Sequence, residues 1–372
     1  MDKIMDVYIA KASYTPPSEA SATLTLPAMP FQLFDALDKV RVMQGDELYF
    51  EVLDYYAFPY MAPFIADSDN LVELNALCQK LSELNESQAT AFEGLLKMEV
   101  EKKNGPIAIG TLIDLACSTD CCHVVSEATS DEALGRFYAE NGFVPAVDDL
   151  PESTFKMLNF AYIGKEMRQG EGGVITPHGY VVQHTDLNEV YKDMDFHIRT
   201  PAYQILLEDT TGNRFELPRQ KPPVYGSYAC LDCRVPTLMA AIDAAPLDEV
   251  NNFAELLESM GDSSLQTFKA ILNATDCNSL ADAVTFAEHL DEYMLDSKVS
   301  SFSELAKSEV EFMLGDNDVE LLTQFLNLHG YGQALMERFG SAITSYGLLE
   351  RKDFQPIMKT AESIQRGGME MM

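Results

Sequence analysis

The amino-acid sequence predicts an α+β protein made of two homologous elongated modules, each with small antiparallel sheets and an acidic helical block. Three observations lead to this fold class: an internal repeat, the same order of strand and helix patterns in both copies, and acidic residues concentrated in the helical stretches. The chain has 372 residues, of which 47% are hydrophobic and 23% charged. These values are ordinary for a globular protein and exclude wholesale disorder.

The internal repeat consists of two pairs of matching stretches. The apolar pattern of residues 71–96 returns in 247–272 at a spacing of 176 positions, and the pattern of 158–179 returns in 326–347 at a spacing of 168. The difference of eight predicts a single deletion in the polar stretch around 102–105, where a loop is expected. The two copies therefore share one ancestral fold.

The repeat divides the chain into module 1–190, module 191–350 and a mildly basic, methionine-rich tail over 351–372. Each module is expected to begin with strands, because β-branched and apolar residues alternate there. In the first module these predicted strands cover 6–10, 22–26 and 48–53.

Helices are expected to follow the strands in each module. Apolar residues recur at helical spacing from Leu71, and Asn70 with Glu73 predicts a capping box at the helix start. In the second module Pro246 takes the place of the capping residue. Each module then ends with a helix, over 152–164 in the first copy, and a short hairpin.

The hairpins carry a glycine at matching positions, Gly179 and Gly347. A tight hairpin turn often requires a positive φ angle, which glycine adopts without steric cost. We therefore expect both glycines to occupy such a turn.

The net charge is −33, from 26 basic and 59 acidic residues. Residues 42–155 carry 21 acids and 5 bases, residues 243–337 carry 19 acids and 3 bases, and the rest of the chain is nearly balanced. Almost the whole charge thus comes from the equivalent helical blocks of the two modules. Such a field repels phosphate backbones and anionic lipids, which argues against direct binding to nucleic acid or membranes.

Location and redox state are also predicted. The sequence has no apolar run of the roughly 18 residues that a membrane span needs, and the residues at its start do not form a signal peptide, so a cytoplasmic protein is expected. The seven cysteines are an odd number, which favours reduced thiols over a disulfide framework.

The acidic positions drift between the copies while their density is kept. Glu73 matches Glu249, but Glu83 faces Ser259 and Glu93 faces Lys269. A catalytic carboxylate needs a fixed position, whereas an acidic binding surface needs only density and approximate spacing. The alternative is an acidic face that keeps the protein soluble. The candidate partner-binding residues are Glu73, Glu83, Glu86, Glu93, Asp114, Asp120, Glu249, Glu255, Asp262, Asp282, Glu288 and Asp291.

Two further acids correspond at the spacing of 168, where Asp114 is paired with Asp282 and Asp120 with Glu288.

Several short sequence patterns follow one another along the first half of the chain. They are Val7 to Ala10, Leu26 with Pro27, Asp54 with Tyr55, Pro59, Val72 to Leu84, Gly164, and Thr176 to Gly179. In this order and spacing, over about 180 residues, the first half resembles the ArdA antirestriction family. The second half is less similar, with Tyr346 in the place of His178.

The resemblance implies a function without catalysis. Proteins of this family are acidic α+β mimics of B-form DNA, carried on mobile elements such as phages and plasmids, that occupy the DNA-binding groove of type I restriction-modification enzymes. Family members are typically single modules that dimerise. Here two modules share one chain, which leaves open a homodimer or an intrachain pseudo-dimer.

The sequence also allows two other functions. One is a non-catalytic interaction or regulatory protein of a mobile element that binds a different basic partner. The other is a metal-dependent enzyme built on the cluster Cys117, Cys121, Cys122 and His123, with Cys230 and Cys233 elsewhere in the sequence. Zinc could use four of these residues. Because helical and strand-like patterns surround these cysteines, buried free thiols are favoured. No catalytic residue, metal or cofactor is predicted.

Overall fold

A computed structural model describes residues 2–11, 20–41, 47–65, 70–102, 107–147, 150–220, 226–314 and 323–357. It is α+β, as predicted. Contacts between Cα atoms divide the chain into two compact units. The first unit contains 1–7, 25–27 and 52–198, and the second contains 8–24, 28–51 and 199–372. In the described part of the chain, no helix combines the length and apolar character that crossing a membrane requires.

The first three strands confirm the predicted ones. β1 (Met5–Lys11), β2 (Ser21–Leu26) and β3 (Leu48–Asp54) form a sheet in the order β2-β1-β3, and the division between the units passes through these strands. A helix, α1 (Pro30–Val40), lies between β2 and β3 in the sequence and interrupts the expected run of strands. Pro30 suits its first position, where a backbone N–H has no helical partner.

The helical block of the first unit has three main helices. These are α2 (Leu71–Ser82), α3 (Glu86–Lys102) and α4 (Ile109–Ala116). The side chain of Asn70 accepts a hydrogen bond from the N–H of Val72, so the predicted cap is present. The second half of the predicted capping box is wrong, because the Glu73 carboxylate accepts a hydrogen bond from Tyr191 instead.

The rest of the first unit is a three-stranded sheet with three helices. Its elements are β4 (Cys122–Val125), α5 (Asp131–Glu140), α6 (Glu152–Phe155), α7 (Phe160–Glu171), β5 (Val174–Thr176) and β6 (Gly179–Gln183), with the strand order β4-β6-β5. The single helix predicted over 152–164 is wrong. Asn159 accepts a hydrogen bond from the Tyr162 N–H and starts α7 as a separate helix.

The second unit begins with a sheet in the order β8-β7-β9, and its second sheet has the order β10-β12-β11. A continuous core fills the space between the first of these sheets and the helices, with Leu207, Phe253 and Phe268 fully buried. The elements are β7 (Ile205–Asp209), β8 (Arg214–Leu217), β9 (Tyr228–Cys233), α8 (Met239–Ala244), α9 (Leu247–Ser259), α10 (Asp262–Thr275), α11 (Leu280–Glu288), β10 (Tyr293–Asp296), α12 (Phe302–Leu314), α13 (Leu328–Phe339), β11 (Ala342–Thr344) and β12 (Gly347–Arg351).

The sheets and the main helices of the two copies correspond, although α1 has no counterpart between β8 and β9 in the described residues. The sheet order β2-β1-β3 corresponds to β8-β7-β9, and β4-β6-β5 corresponds to β10-β12-β11. The Leu26–Pro27 and Leu217–Pro218 peptide bonds are both cis. Gly179 and Gly347 have φ angles of 146° and 142°, as the hairpin patterns predicted.

Between α3 and α7 the spacing between the copies falls in two steps, so the single deletion of eight residues is wrong. The spacing is 176 at the starts of α3 and α10, 171 at those of α4 and α11 and of α5 and α12, and 168 at those of α7 and α13. Loops between helices accept such length changes at small cost. Residues 103–106, which include most of the stretch where the single deletion was predicted, lie outside the described residues.

This register changes two predicted pairs. At a spacing of 171, Asp114 corresponds to Thr285 and Asp120 corresponds to Asp291. The pairing of Asp114 with Asp282 and of Asp120 with Glu288 is therefore wrong.

The division into units differs from the predicted modules in one respect. The boundary at 198 lies near the predicted boundary at 190, but residues 8–24 and 28–51, the latter including α1, group with the second unit. The backbone N–H of Phe31 donates a 3.1 Å hydrogen bond to the buried carboxylate of Asp232 on β9. The Phe31 ring also meets the Tyr203 ring edge-on, with centroids 5.6 Å apart. Residues 358–372, most of the predicted tail, lie outside the described residues.

Candidate acidic binding surface

The twelve candidate carboxylates lie on the equivalent helical blocks of the two units. In the first unit they lie on or directly beside α2, α3 and α4, and in the second unit on or beside α9, α10 and α11. Eight are exposed, namely Glu83, Glu86, Asp120, Glu249, Glu255, Asp262, Glu288 and Asp291. The other four, Glu73, Glu93, Asp114 and Asp282, are half-buried.

Helix ends place several of the exposed carboxylates. Glu86 and Asp262 lie in the first turns of α3 and α10, and Glu249 lies in the first turn of α9. The first turn of a helix carries unpaired N–H groups and a partial positive charge, so acidic residues there stabilise the helix. An acidic residue at these positions therefore stabilises its helix and is also available to bind a partner.

Asp114 has a structural role. Its Oδ1 atom accepts hydrogen bonds of 2.8 Å from the N–H groups of both Val190 and Tyr191. This carboxylate therefore holds the segment that follows β6 against α4. It offers less to a partner than the exposed acids do.

Glu73 also contacts this segment. The hydroxyl of Tyr191 donates a 3.1 Å hydrogen bond to Glu73 Oε1, and this bond is the main reason that the pKa of Tyr191 is raised. The Tyr191 ring lies directly over Gly110, where a side chain would meet ring atoms at 2.8 Å. The segment after β6 thus covers one face of α2 and α4.

Glu93 lies in a cleft of the first unit. Its Oε2 atom is 2.9 Å from Nδ1 of His178, and its side chain is 14% exposed. The cleft has a volume of about 600 Å³, and Phe58, Tyr60 and Glu86 also line it. Burial, with a further contribution from the Glu93 charge, strongly raises the pKa of Tyr60.

The acids of the second unit are more open. The side chain of Asp262 is 99% exposed and lies 3.3 Å from Arg234 Nη2. Glu255 accepts a 3.1 Å hydrogen bond from the side chain of Asn251. Glu249 and Glu288 flank an apolar groove between α9 and α11 that includes Phe253.

The cysteines are all free thiols. Burial raises the pKa of Cys122 and of Cys233 to about 12 in each case, and Cys121 donates to the carbonyl of Asp186. Within the described ranges, no three or more His, Cys, Asp or Glu side chains are grouped as a metal site would need.

Sequence reasoning overlooked the residues that hold these carboxylates. Tyr191 and His178 each bind a candidate acid, and neither follows an acidic pattern in the sequence. The one sequence signal was indirect, because His178 and Tyr346 differ at matching hairpin positions. No family model matches the sequence, and no curated protein matches it.

Proposed function

We propose that this protein is a non-catalytic DNA mimic that inhibits a type I restriction-modification enzyme, or a related DNA-handling defence complex, by occupying its DNA-binding groove. The observation that carries the proposal is the repeated acidic helical block, in which eight of the twelve candidate carboxylates are exposed. The resemblance of the first half to the ArdA antirestriction family supports it. The protein would act in the cytoplasm, where such enzymes meet incoming DNA.

The physical basis is electrostatic. A DNA-binding groove gains much of its affinity when its basic residues displace the cations condensed on the phosphates. A folded protein with a net charge of −33 can contact the same basic residues without copying the base edges of DNA. Along a helix, carboxylates four to seven residues apart stand roughly 6–10 Å apart, comparable to phosphates along one strand.

A cleavage-protection assay tests this function directly. Purified protein is mixed with a type I restriction-modification enzyme and plasmid DNA that carries its site, and both cleavage and methylation are measured. We expect inhibition of the enzyme, with an apparent affinity that falls at least about tenfold between 50 and 200 mM salt. Inhibition that does not change with salt would contradict the electrostatic basis.

Charge-matched variants test the location of the surface. The first variant reverses three exposed acids of the helical block, Glu83, Glu86 and Asp120, to lysine. The control reverses three exposed acids on α5 and α7 of the same unit, Glu132, Glu140 and Glu166. Both variants change the charge by +6, so a surface-specific effect appears only in the first.

The same test applies to the second unit with Glu249, Glu288 and Asp291. If both units bind, each triple reversal weakens inhibition while the control does not. Equal weakening in the block variants and the control would mean that net charge alone acts. A protein that captures a basic partner but never protects DNA would instead be a regulatory protein of a mobile element.

A further inference from the structure

The cleft at Glu93 has a counterpart in the second unit that is filled by a helix. Glu93 on α3 corresponds to Lys269 on α10 at the spacing of 176, and His178 corresponds to Tyr346 at the spacing of 168. The two hairpins have the same local geometry. In each, the threonine hydroxyl accepts a 3.1 Å hydrogen bond from the N–H two residues later, which is His178 in one copy and Tyr346 in the other.

The same helix position contacts the hairpin in both copies, although through different hairpin atoms. Lys97 on α3 donates a 2.8 Å hydrogen bond to the carbonyl of Ile175. Asn273, its counterpart on α10, accepts a 3.1 Å hydrogen bond from the N–H of Ser345. The surfaces between helix and hairpin are therefore equivalent in the two units, and one can serve as a template for the other.

In the second unit, α1 covers this surface through charged contacts. Lys269 Nζ lies 2.9 Å from Asp35 and 2.9 Å from Asp38, which are one turn apart on α1. The Tyr346 hydroxyl donates a 2.8 Å hydrogen bond to Asp35. Arg41, at the end of α1, donates to the carbonyl oxygens of the hairpin turn at 3.1 and 3.4 Å.

The corresponding surface of the first unit is open and has the opposite charge. The position of the buried cation Lys269 is taken by Glu93, and Glu86 adds an exposed carboxylate seven residues earlier, roughly 10 Å along the helix. Tyr60, which is partly exposed, supplies aromatic surface on which the stem of a lysine or the plane of an arginine packs well, and the buried Phe58 lies beside it. This chemistry suits a cationic helix.

We propose that the cleft between α3 and the β5–β6 hairpin is a docking site for a basic helix of a partner protein, held as α1 is held in the second unit but with the charges exchanged. The helix would present lysine or arginine at positions three residues apart, matching Asp35 and Asp38 of α1. The inference rests on the proposed function, in that the partner is a protein with a basic surface.

A peptide charge-swap experiment tests the site. The first probe is a stapled helical peptide with the sequence of residues 29–41, called the acidic probe because it presents Asp35 and Asp38. The basic probe is the same peptide with Asp35→Arg and Asp38→Arg. Each carries a fluorophore, and its dissociation constant is measured by anisotropy against the full-length protein and against full-length Glu93→Lys, which gives the first unit the charge found at Lys269.

We expect the basic probe to bind the unmodified protein and to bind Glu93→Lys at least about tenfold more weakly. The acidic probe should show the reverse preference. The control is Glu166→Lys, which makes the same charge change at an exposed site outside the cleft and should shift either affinity less than threefold. Equal binding of the basic probe to the unmodified protein and Glu93→Lys, or no binding to either, overturns the proposal.

Two further measurements keep the outcome clear. Circular dichroism and thermal unfolding show whether Glu93→Lys folds. If it does not fold, the double variant Glu86→Gln with Glu93→Gln replaces it. The basic probe should not bind this double variant. The cleavage-protection assay on unmodified protein reports the proposed function separately. If the peptides bind with the expected charge preference but the protein does not protect DNA, the docking site is supported and the proposed function is contradicted. If the protein protects DNA but peptide binding does not depend on charge, the proposed function is supported and the docking site is contradicted.

Discussion

Lys269 Nζ lies 2.9 Å from Asp35 Oδ1, and the two side chains are 3% and 4% exposed. A buried charge is costly unless an opposite charge and hydrogen bonds compensate it. Here Asp38, Lys39 and the Tyr346 hydroxyl complete the compensation. This network fixes α1, a helix from the first half of the sequence, to the helix and hairpin of the second unit.

Replacing the buried cation should destabilise the second unit. In Lys269→Met, the Asp35 carboxylate loses the main charge that compensates its burial, and the free energy of unfolding should fall by about 3–5 kcal/mol. The measurement is urea unfolding followed by circular dichroism. Lys298→Met is the control, because Lys298 is exposed and its loss should change stability by less than about 0.5 kcal/mol. Equal stability of the two variants would contradict a compensating role for Lys269.

The same network should make stability depend on acid pH. Burial raises the pKa of Asp35, but Lys269 and Lys39 outweigh burial, so the pKa lies below its ordinary value of 3.8. The unfolded chain then takes up this proton more readily than the folded one, and the contribution to stability is present above pH 3.8 and lost as the pH falls through the lower folded-state pKa. The stability gap between the unmodified protein and Asp35→Asn should therefore narrow between pH 5 and pH 2.5. If urea titrations show the same difference in the free energy of unfolding at every pH, the pH-dependent role of Asp35 is contradicted.

Asp114 and Asp120 should behave differently although both are candidate acids. Asp114→Ala leaves the N–H groups of Val190 and Tyr191 without their acceptor, at a cost of about 1–3 kcal/mol. Asp120→Ala removes the same charge from an exposed position and should cost less than about 0.5 kcal/mol. Thermal unfolding distinguishes them. Equal shifts in melting temperature would show that Asp114 does not hold the segment after β6.

Helices α5 and α7 should tolerate no side chain where they cross. A Cβ atom on Gly164 would lie 1.9 Å from the carbonyl oxygen of Asp131, so Gly164→Ala should destabilise the protein by about 1–3 kcal/mol. Gly170→Ala on the same helix meets no atom within 4 Å and should stabilise it by up to about 1 kcal/mol. Differential scanning calorimetry measures both. A neutral Gly164→Ala would mean that the helices separate easily.

The thiols of Cys122 and Cys233 should be unreactive in the folded protein. Because the pKa of Cys122 and of Cys233 is about 12, little thiolate forms at pH 8, and the thiolate is the species that reacts. We expect slow alkylation by iodoacetamide at these cysteines and rapid alkylation in 8 M urea, measured by mass spectrometry. Rapid folded-state alkylation, or stoichiometric zinc in the purified protein, would restore the metal-dependent alternative.

Much of the local structure was predictable. The strands near 6–10 and 22–26, the caps, and the glycine turns at Gly179 and Gly347 follow from patterns within a few residues of one another. The helix over 152–164 was mispredicted because Asn159 can cap a new helix as readily as it sits in a loop. The change in spacing between the copies was wrongly predicted as a single deletion, because loops change length without leaving a pattern in the sequence.

The sequence by itself determined the α+β class, the repeat and the acidic density of both helical blocks, because composition and short-range periodicity encode them. Only the tertiary structure decided that α1 belongs with the second unit, and that Glu93 faces an open cleft while its counterpart Lys269 is covered. The reason is physical: burial and ion pairing depend on which distant residues meet, and Lys269 meets Asp35 only once the chain has folded.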